Sequence, residues 1–178
     1  MENTALDSKE IYCLWVRTGQ EEKYIEEMHS LIDSGEVPLN GKFYFLKKQM
    51  KLKNGKEYTV PIFPGYVFWE TEDSSKKRLL REGSGFIQIL PKDTGGTPLC
   101  KSDLEIITSI LKYGTTISVV HVQFDVNDKI QLLDGPFKDM SGKVVAVNRR
   151  NKRVNLEVEF LNGMRLIGLT YEEVKKMM

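Results

Sequence analysis

The segment DGPFKDMSGKV at residues 134–144 constrains the fold of this chain more than any other stretch. Pro136 fixes a backbone angle beside Gly135, and Gly142 permits a geometry that a β-carbon would resist. Two amphipathic strand patterns follow, separated by the basic stretch NRRNKR at residues 148–153. A tight turn, strands and a charged hairpin tip are the parts from which a small β-barrel presents a ligand surface.

Phe137 follows this turn and lies outside the regular strand patterns. We expect its side chain to stand on an exposed turn. An exposed aromatic ring is costly unless it packs underneath or binds a partner, so Phe137 is a candidate contact residue.

The second motif is PIFPGYVF at residues 61–68, which places aromatic side chains around a kink at Pro64. This stretch resembles the signature of the NusG N-terminal domain, and residues 134–144 resemble the KOW motif. The two motifs occur in the order found in that family, and the resemblance extends over residues 12–177. The chain therefore resembles a NusG-family transcription elongation factor.

The composition is that of an ordinary soluble globular protein, with 178 residues of which 40% are hydrophobic and 29% charged. No apolar run approaches the roughly 18 residues of a membrane span, and residues 1–9 lack the features of a signal peptide. We expect a cytoplasmic protein without membrane contact. The net charge is only +1, so binding to nucleic acid has to come from a local patch of cations.

The first part of the chain has the order β-α-β-β-α-β, which is typical of a ferredoxin-like α/β sandwich. Apolar residues recur at helical spacing between Gly19 and Gly35, and Asn54 with Gly55 marks a hairpin turn. The expected strands are residues 10–17, 43–52, 58–63, 67–69 and 86–90, and the further expected helices are residues 74–81 and 102–112.

The second part predicts an SH3-like β-barrel of four or five strands. The expected strands are residues 129–133, 143–148, 154–160 and 165–169, with a turn or helix at 171–176. The fold class is therefore α+β. Its expected domains are the NusG N-terminal (NGN) domain at residues 10–113, a linker at 114–124 and a KOW domain at 125–178.

Nothing in the sequence indicates catalysis. His29 and His121 have no evident acidic or thiol partners, and Gly83-Ser84-Gly85 lacks the longer pattern of a phosphate loop. Cys13 and Cys100 are too far apart for a metal or redox motif, and we expect both to be reduced. We expect a protein that is not an enzyme and that has no metal or cofactor.

In the NusG family, an apolar pocket of the N-terminal domain grips the tip of the clamp-helices coiled coil of RNA polymerase. The resemblance implies RNA polymerase as a partner and locates the pocket by motif position. Alternatively, these aromatic residues form only the core of a small domain. The candidate polymerase-binding residues are Tyr12, Phe63, Pro64, Gly65, Tyr66, Phe86 and Ile89.

Family members make a second contact across the polymerase cleft, which would fall near residues 71–77. Specialised antiterminators carry a motif of the type His-Thr-Thr there, whereas this chain has EDSS at residues 72–75. This departure leaves open whether the chain makes the bridging contact.

The basic stretch is the candidate RNA interface, because arginine matches phosphates and guanine edges with bidentate geometry. The alternatives are a solvated hairpin tip or a barrel that binds a protein through Phe137. The candidate RNA-binding residues are Asn148, Arg149, Arg150, Asn151, Lys152 and Arg153, and the KOW turn residues are Gly135, Pro136, Phe137 and Gly142.

A lysine-rich hairpin at residues 47–56 and the arginine-rich loop depart from the housekeeping pattern of the family. In both features the chain is similar to the LoaP group of antiterminators, which recognise an RNA hairpin in the transcript leader. The resemblance implies a monomer that binds RNA polymerase and a nascent RNA hairpin and so suppresses pausing and termination at specific operons. The alternative is a general NusG-type factor whose KOW domain binds a ribosomal protein or Rho; non-template DNA is a further possible partner.

Overall fold

Residues 10–16 form an almost continuous apolar run and lie inside a sheet in the computed structural model, which describes residues 9–175. The 3₁₀ segments of this part are Lys77–Glu82, Lys92–Thr94 and Lys138–Lys143. The helices and strands are β1 (Glu10–Val16), α1 (Glu21–Asp33), β2 (Lys42–Tyr44), β3 (Lys47–Lys51), β4 (Glu57–Pro61), β5 (Tyr66–Thr71), β6 (Phe86–Leu90), α2 (Lys101–Leu111), β7 (Thr116–Ile117), β8 (Val120–Phe124), β9 (Ile130–Leu132), β10 (Val144–Asn148), β11 (Arg153–Phe160) and β12 (Gly163–Glu173). Neither helix in this described part is long and apolar enough to span a bilayer.

The chain divides into two units. The first unit comprises residues 9–45 and 63–100, and the second unit comprises residues 46–62 and 101–175. The lysine-rich hairpin, which the sequence suggests for the first domain, therefore belongs to the second unit, together with α2.

The first unit is an antiparallel sheet with the strand order β2-β5-β1-β6. Tyr12, Leu14 and Val16 alternate along β1 and share a core with Tyr24 and Met28 of α1. The two helical residues are four positions apart and so lie on one face of α1. A helix-covered antiparallel sheet agrees with the expected α+β class.

The second unit contains a five-stranded sheet with the order β10-β11-β12-β8-β9 and a smaller sheet with the order β4-β3-β7. β12 pairs antiparallel with β11 and parallel with β8. Every second side chain of β11 is buried and supplies the core, as strand geometry requires. These residues are Val154, Leu156, Val158 and Phe160.

The turn between β11 and β12 has Leu161 and Asn162 in its centre, both in the left-handed region at φ 50° and 57°. Positive φ at both central residues is what a type I′ hairpin turn requires. The backbone N–H of Leu161 donates to the Asp103 carboxylate of α2 at 3.2 Å. This bond anchors the hairpin to a helix of the same unit.

Long-range strand pairing explains where the observed elements differ from those expected. The segment expected as a linker contains β7 and β8, because these strands pair with β3 and β12. β12 extends through Glu173, where a turn or helix was expected at 171–176; residue 176 lies outside the described part. The short helix expected at 74–81 is the 3₁₀ segment Lys77–Glu82.

Candidate functional site

The motif at residues 63–66 forms a tight turn. The Tyr66 N–H donates to the Phe63 carbonyl at 3.1 Å, and Gly65 has a φ of 81°. Proline at the second position and a residue with positive φ at the third are features of a type II turn. The local sequence therefore explains why an exposed proline leads into β5.

Gly65 is held from two sides. Its N–H donates to the carboxylate of Glu21 at 2.7 Å, and its carbonyl accepts from the Val16 N–H at 2.8 Å. A β-carbon here would lie 3.0 Å from the Thr18 hydroxyl and 3.2 Å from the Val16 carbonyl. The position thus requires glycine for both its φ and its space.

Glu21 is a residue that the sequence reasoning missed. It is only 2% exposed at the start of α1, where its carboxylate also lies favourably with respect to the helix dipole. The adjacent pair Glu21-Glu22 reads as solvated helix surface, and no local signal reveals that the first carboxylate accepts a bond from residue 65.

The aromatic residues of this region divide into supporting and exposed groups. Phe63 is buried, packs edge-on against Phe68 at 6.2 Å and stacks on Tyr66 at 6.4 Å. Tyr66 is half-buried, Pro64 is exposed, and Trp15, which pairs with Tyr66 across the strands, is 39% exposed. We call the exposed group of Trp15, Pro64 and Tyr66 the apolar turn surface.

The other predicted polymerase-binding residues lie on the opposite face of the sheet. Tyr12 is 3% exposed and belongs to the core beneath α1, and Phe86 and Ile89 pack against that core. Phe86 stacks on Tyr24 at 6.3 Å. The structure therefore groups Phe63, Pro64, Gly65 and Tyr66, but not the remaining three. Side chains alternate along a strand, so Tyr12 and Trp15 cannot share a face.

The KOW turn differs from the expectation at one residue. Phe137 is 1% exposed and is part of the core, so the prediction of an exposed aromatic ring was wrong. The ring packs in the core next to the turn, in which Gly135 has a φ of 81°. Pro136 is half-buried, and the backbone of Gly142 lies in the 3₁₀ segment Lys138–Lys143.

The Asp134 side chain ties the KOW turn to β8. It accepts a hydrogen bond from the His121 N–H at 2.8 Å and lies 2.5 Å from the imidazole Nδ1. His121 therefore has an acidic partner that sequence spacing does not reveal. Among residues 9–175, however, no three His, Cys, Asp or Glu side chains are placed to hold a metal ion.

The basic stretch at residues 148–153, here called the basic loop, is a tight turn in which the side-chain Oδ1 of Asn148 accepts a hydrogen bond from the Asn151 N–H at 3.0 Å. Arg149 pairs with Asp128 at 2.6 Å and lies over the Phe124 ring at 3.9 Å. Lys152, at φ 54°, lies 3.7 Å from Glu173. Within the described part of the chain, no ion-pair partner approaches exposed Arg150.

Arg153 has a different role from its neighbours. It is half-buried at the start of β11, and its guanidinium donates to the Thr170 hydroxyl and, at 3.0 Å, to the Lys51 carbonyl. It also donates to the Tyr58 hydroxyl at 3.3 Å. Arg153 thus joins β12 to the lysine-rich hairpin and does not belong to the exposed loop surface.

The hairpin lysines are also not equivalent. Lys48 is 8% exposed, and burial together with the nearby Arg153 charge lowers its pKa to about 8. Lys51 pairs with Glu172 at 3.0 Å, and this hydrogen bond raises the pKa of the Lys51 ammonium. Lys53 and Lys56 are exposed near the hairpin tip.

Residues 9–108 match the family model described as "Transcription termination factor nusG". The transcription termination/antitermination protein NusG of Neisseria meningitidis is 26% identical over 137 residues, which cover 74% of this chain and 76% of that protein. The protein of the same name from Bacillus subtilis is 24% identical with the same coverage. A solved structure of Thermotoga maritima NusG aligns with 92% of this chain and with 94% of the NusG chain. The TM-score is 0.61 at 17% sequence identity, which shows a similar fold.

Fold and relatives together define a transcription termination/antitermination factor, a class of transcription factors and not of enzymes. The family model covers more than half of the 178 residues. The chain belongs to the NusG family.

Proposed function

We propose that this protein is a processive antitermination factor. Its first unit binds the clamp helices of RNA polymerase, and its second unit binds a hairpin of the nascent RNA. The two contacts suppress pausing and termination at specific operons, as in the LoaP group that the sequence resembles. The observation that carries the proposal is the apolar turn surface at the family's motif position.

The apolar turn surface has the properties of a docking site for a helical tip. Trp15 and Tyr66 are rigid aromatic anchors, and Pro64 projects beside them without a backbone donor. The Gly65–Glu21 bond orients the turn before binding, so little ordering is required. Tyr12, Phe86 and Ile89 act in this proposal as the core that supports the sheet from its other face.

The proposed RNA contact of the second unit rests on the part of the basic loop that remains exposed. Arg150, Asn151 and Lys152 project from the tip, whereas Arg149 and Arg153 are engaged within the unit. If Arg150 and Lys152 each neutralise one phosphate, the logarithm of affinity should fall with the logarithm of salt concentration with a slope of about −2.

A protein-binding second unit is the other candidate function, and the exposed apolar side chains of its sheet favour it. Val145, Met164 and Leu166 are 52%, 56% and 63% exposed. In a general NusG-type factor with an SH3-like barrel, such a surface would bind a ribosomal protein or Rho. Non-template DNA is a further proposed partner.

Binding of the full chain to purified core RNA polymerase tests the polymerase contact. Trp15→Ala and Tyr66→Ala should each weaken binding by about 2 kcal/mol, because both remove a central aromatic anchor. Tyr113→Ala is the matched control, since Tyr113 is 56% exposed and lies in the second unit. Equal affinities for all three variants, with circular dichroism showing intact folding, would refute this contact.

A further inference from the structure

We propose that the lysine-rich hairpin and the basic loop form a single groove that binds the phosphate backbones of an RNA stem. The inference rests on the proposed RNA binding by the second unit and extends it to a segment distant in sequence. The hairpin tip and the loop are roughly a hundred residues apart in the chain, yet both line the same groove. We call this the basic groove.

The basic groove has a volume of about 440 Å³ and cations on both of its walls. Residues of the hairpin tip form one wall, and residues of the loop and the end of β12 form the other. Five cations line it against two carboxylates, Glu172 and Glu173, which leaves a net charge of +3. The cations are Lys51, Lys53, Arg150, Lys152 and Lys175.

The carboxylates neutralise only part of this charge. Glu172 pairs with Lys51 at 3.0 Å, and Glu173 lies 3.7 Å from Lys152. The three other cations, Lys53, Arg150 and Lys175, are exposed and have no ion-pair partner within residues 9–175. They are therefore available to an anionic ligand from both walls.

The walls are held together before any ligand binds. The Lys51 N–H donates to the Thr170 hydroxyl at 3.2 Å, and Arg153 bridges Thr170 of β12 to the Lys51 carbonyl. β3 also pairs with β7 of the same unit. A groove with fixed walls loses little conformational entropy on binding, which favours a rigid ligand over a flexible one.

Charge on two facing walls matches a ligand with two rows of phosphates. Paired RNA is recognised through its shape and its phosphates and 2′-hydroxyls, because side chains cannot read the base edges in its deep and narrow major groove. An acidic peptide offers carboxylates on a flexible chain and fits less well. We therefore assign the basic groove to an RNA stem.

Fluorescence anisotropy of the full chain with a labelled RNA stem-loop tests the assignment. Lys53→Gln, Lys175→Gln and Arg150→Gln should each weaken binding about fivefold and reduce the salt slope by about one unit. The matched control is Lys56→Gln, because Lys56 is exposed at the same hairpin tip but does not line the groove. Four phosphate contacts, from Lys53, Arg150, Lys175 and the loosely paired Lys152, should give the wild-type protein a slope of about −3.5, steeper than the loop alone would give.

The outcomes distinguish failure of the basic groove from failure of the proposed RNA binding by the second unit. If Arg150→Gln weakens binding while Lys53→Gln and Lys175→Gln behave like Lys56→Gln, the loop binds RNA and the two-walled groove is wrong. If wild-type protein does not bind the stem-loop at low salt, RNA binding by the second unit fails as well. Equal binding of a DNA duplex or of polyglutamate, with the same sensitivity to Lys53→Gln, would overturn the assignment to RNA.

Discussion

The carboxylate of Glu21 determines the shape of the apolar turn surface although it is itself almost fully buried. It accepts the Gly65 N–H at 2.7 Å, which would otherwise be an unpaired donor in a buried turn. Gly65 has no side chain, and a β-carbon added there would lie 3.5 Å from the Trp15 ring. The exposed surface thus depends on groups that a partner never touches.

Replacement of Gly65 by alanine tests this dependence. Gly65→Ala should lower the free energy of unfolding by about 2–3 kcal/mol, because it combines left-handed strain with contacts near 3 Å to Thr18 and Val16. Gly35→Ala is the control, since Gly35 has a φ of 80° but nothing within 4 Å of an added β-carbon. Gly35→Ala should lower the free energy of unfolding, measured in urea, by about 1 kcal/mol. Equal costs for both variants would show that crowding at Gly65 contributes nothing.

At the scale of elements, the side chain of Arg153 is one of several groups that join the lysine-rich hairpin to β12. The Arg153 guanidinium donates to the Thr170 hydroxyl, the Lys51 carbonyl and the Tyr58 hydroxyl, and the N–H of Lys51 donates to the same Thr170 hydroxyl. Hydrogen bonds from a charged donor stabilise a fold more than those from a neutral donor. We therefore expect the Arg153 contacts to contribute strongly to the local stability of β3.

Arg153→Met keeps much of the side-chain volume and removes every donor. Amide hydrogen exchange in β3 should become roughly tenfold faster, and affinity for an RNA stem should fall, because the hairpin wall is no longer held. Arg149→Met serves as the control. Arg149 lies in the same loop as Arg153 but pairs with Asp128 and makes no hydrogen bond to the lysine-rich hairpin. Unchanged exchange in β3 of the Arg153→Met protein would contradict the link.

Local sequence patterns predicted the elements whose stability is local. Richness in aromatic and β-branched residues predicted β1, alternation predicted β11, and helical spacing predicted α1 to within two residues at its start. The end of β12 was missed because Tyr171-Glu172-Glu173 extends by parallel pairing with β8, some fifty residues away. The helix propensity of the two glutamates is a local property and contains no information about that pairing.

Face and partner were harder to predict than element type. Tyr12 and Trp15 are both aromatic residues of one strand, and only the position of α1 shows which is core and which is surface. Likewise, Phe137 follows a turn motif, from which the sequence pattern predicted an exposed ring, yet the ring is buried. The partners of Arg153 lie in segments whose proximity the sequence does not encode locally.

On the scale of the whole molecule, the proposed function requires two modest contacts in one chain to reinforce each other. If one unit is bound to polymerase, the other would meet the emerging transcript at a high effective concentration. An RNA that carries the right stem would then recruit the factor to its own operon, and loss of either contact should remove the effect. The proposed function depends most on this bivalent recruitment.

Single-round transcription through an intrinsic terminator tests that claim most directly, with templates carrying either the protein's own upstream leader or a scrambled leader. Wild-type protein should raise readthrough only with the native leader. Arg150→Gln combined with Lys152→Gln should abolish the effect, and so should Trp15→Ala combined with Tyr66→Ala. Small and equal effects on both templates, insensitive to the loop variants, would contradict RNA-directed antitermination and indicate a general elongation factor.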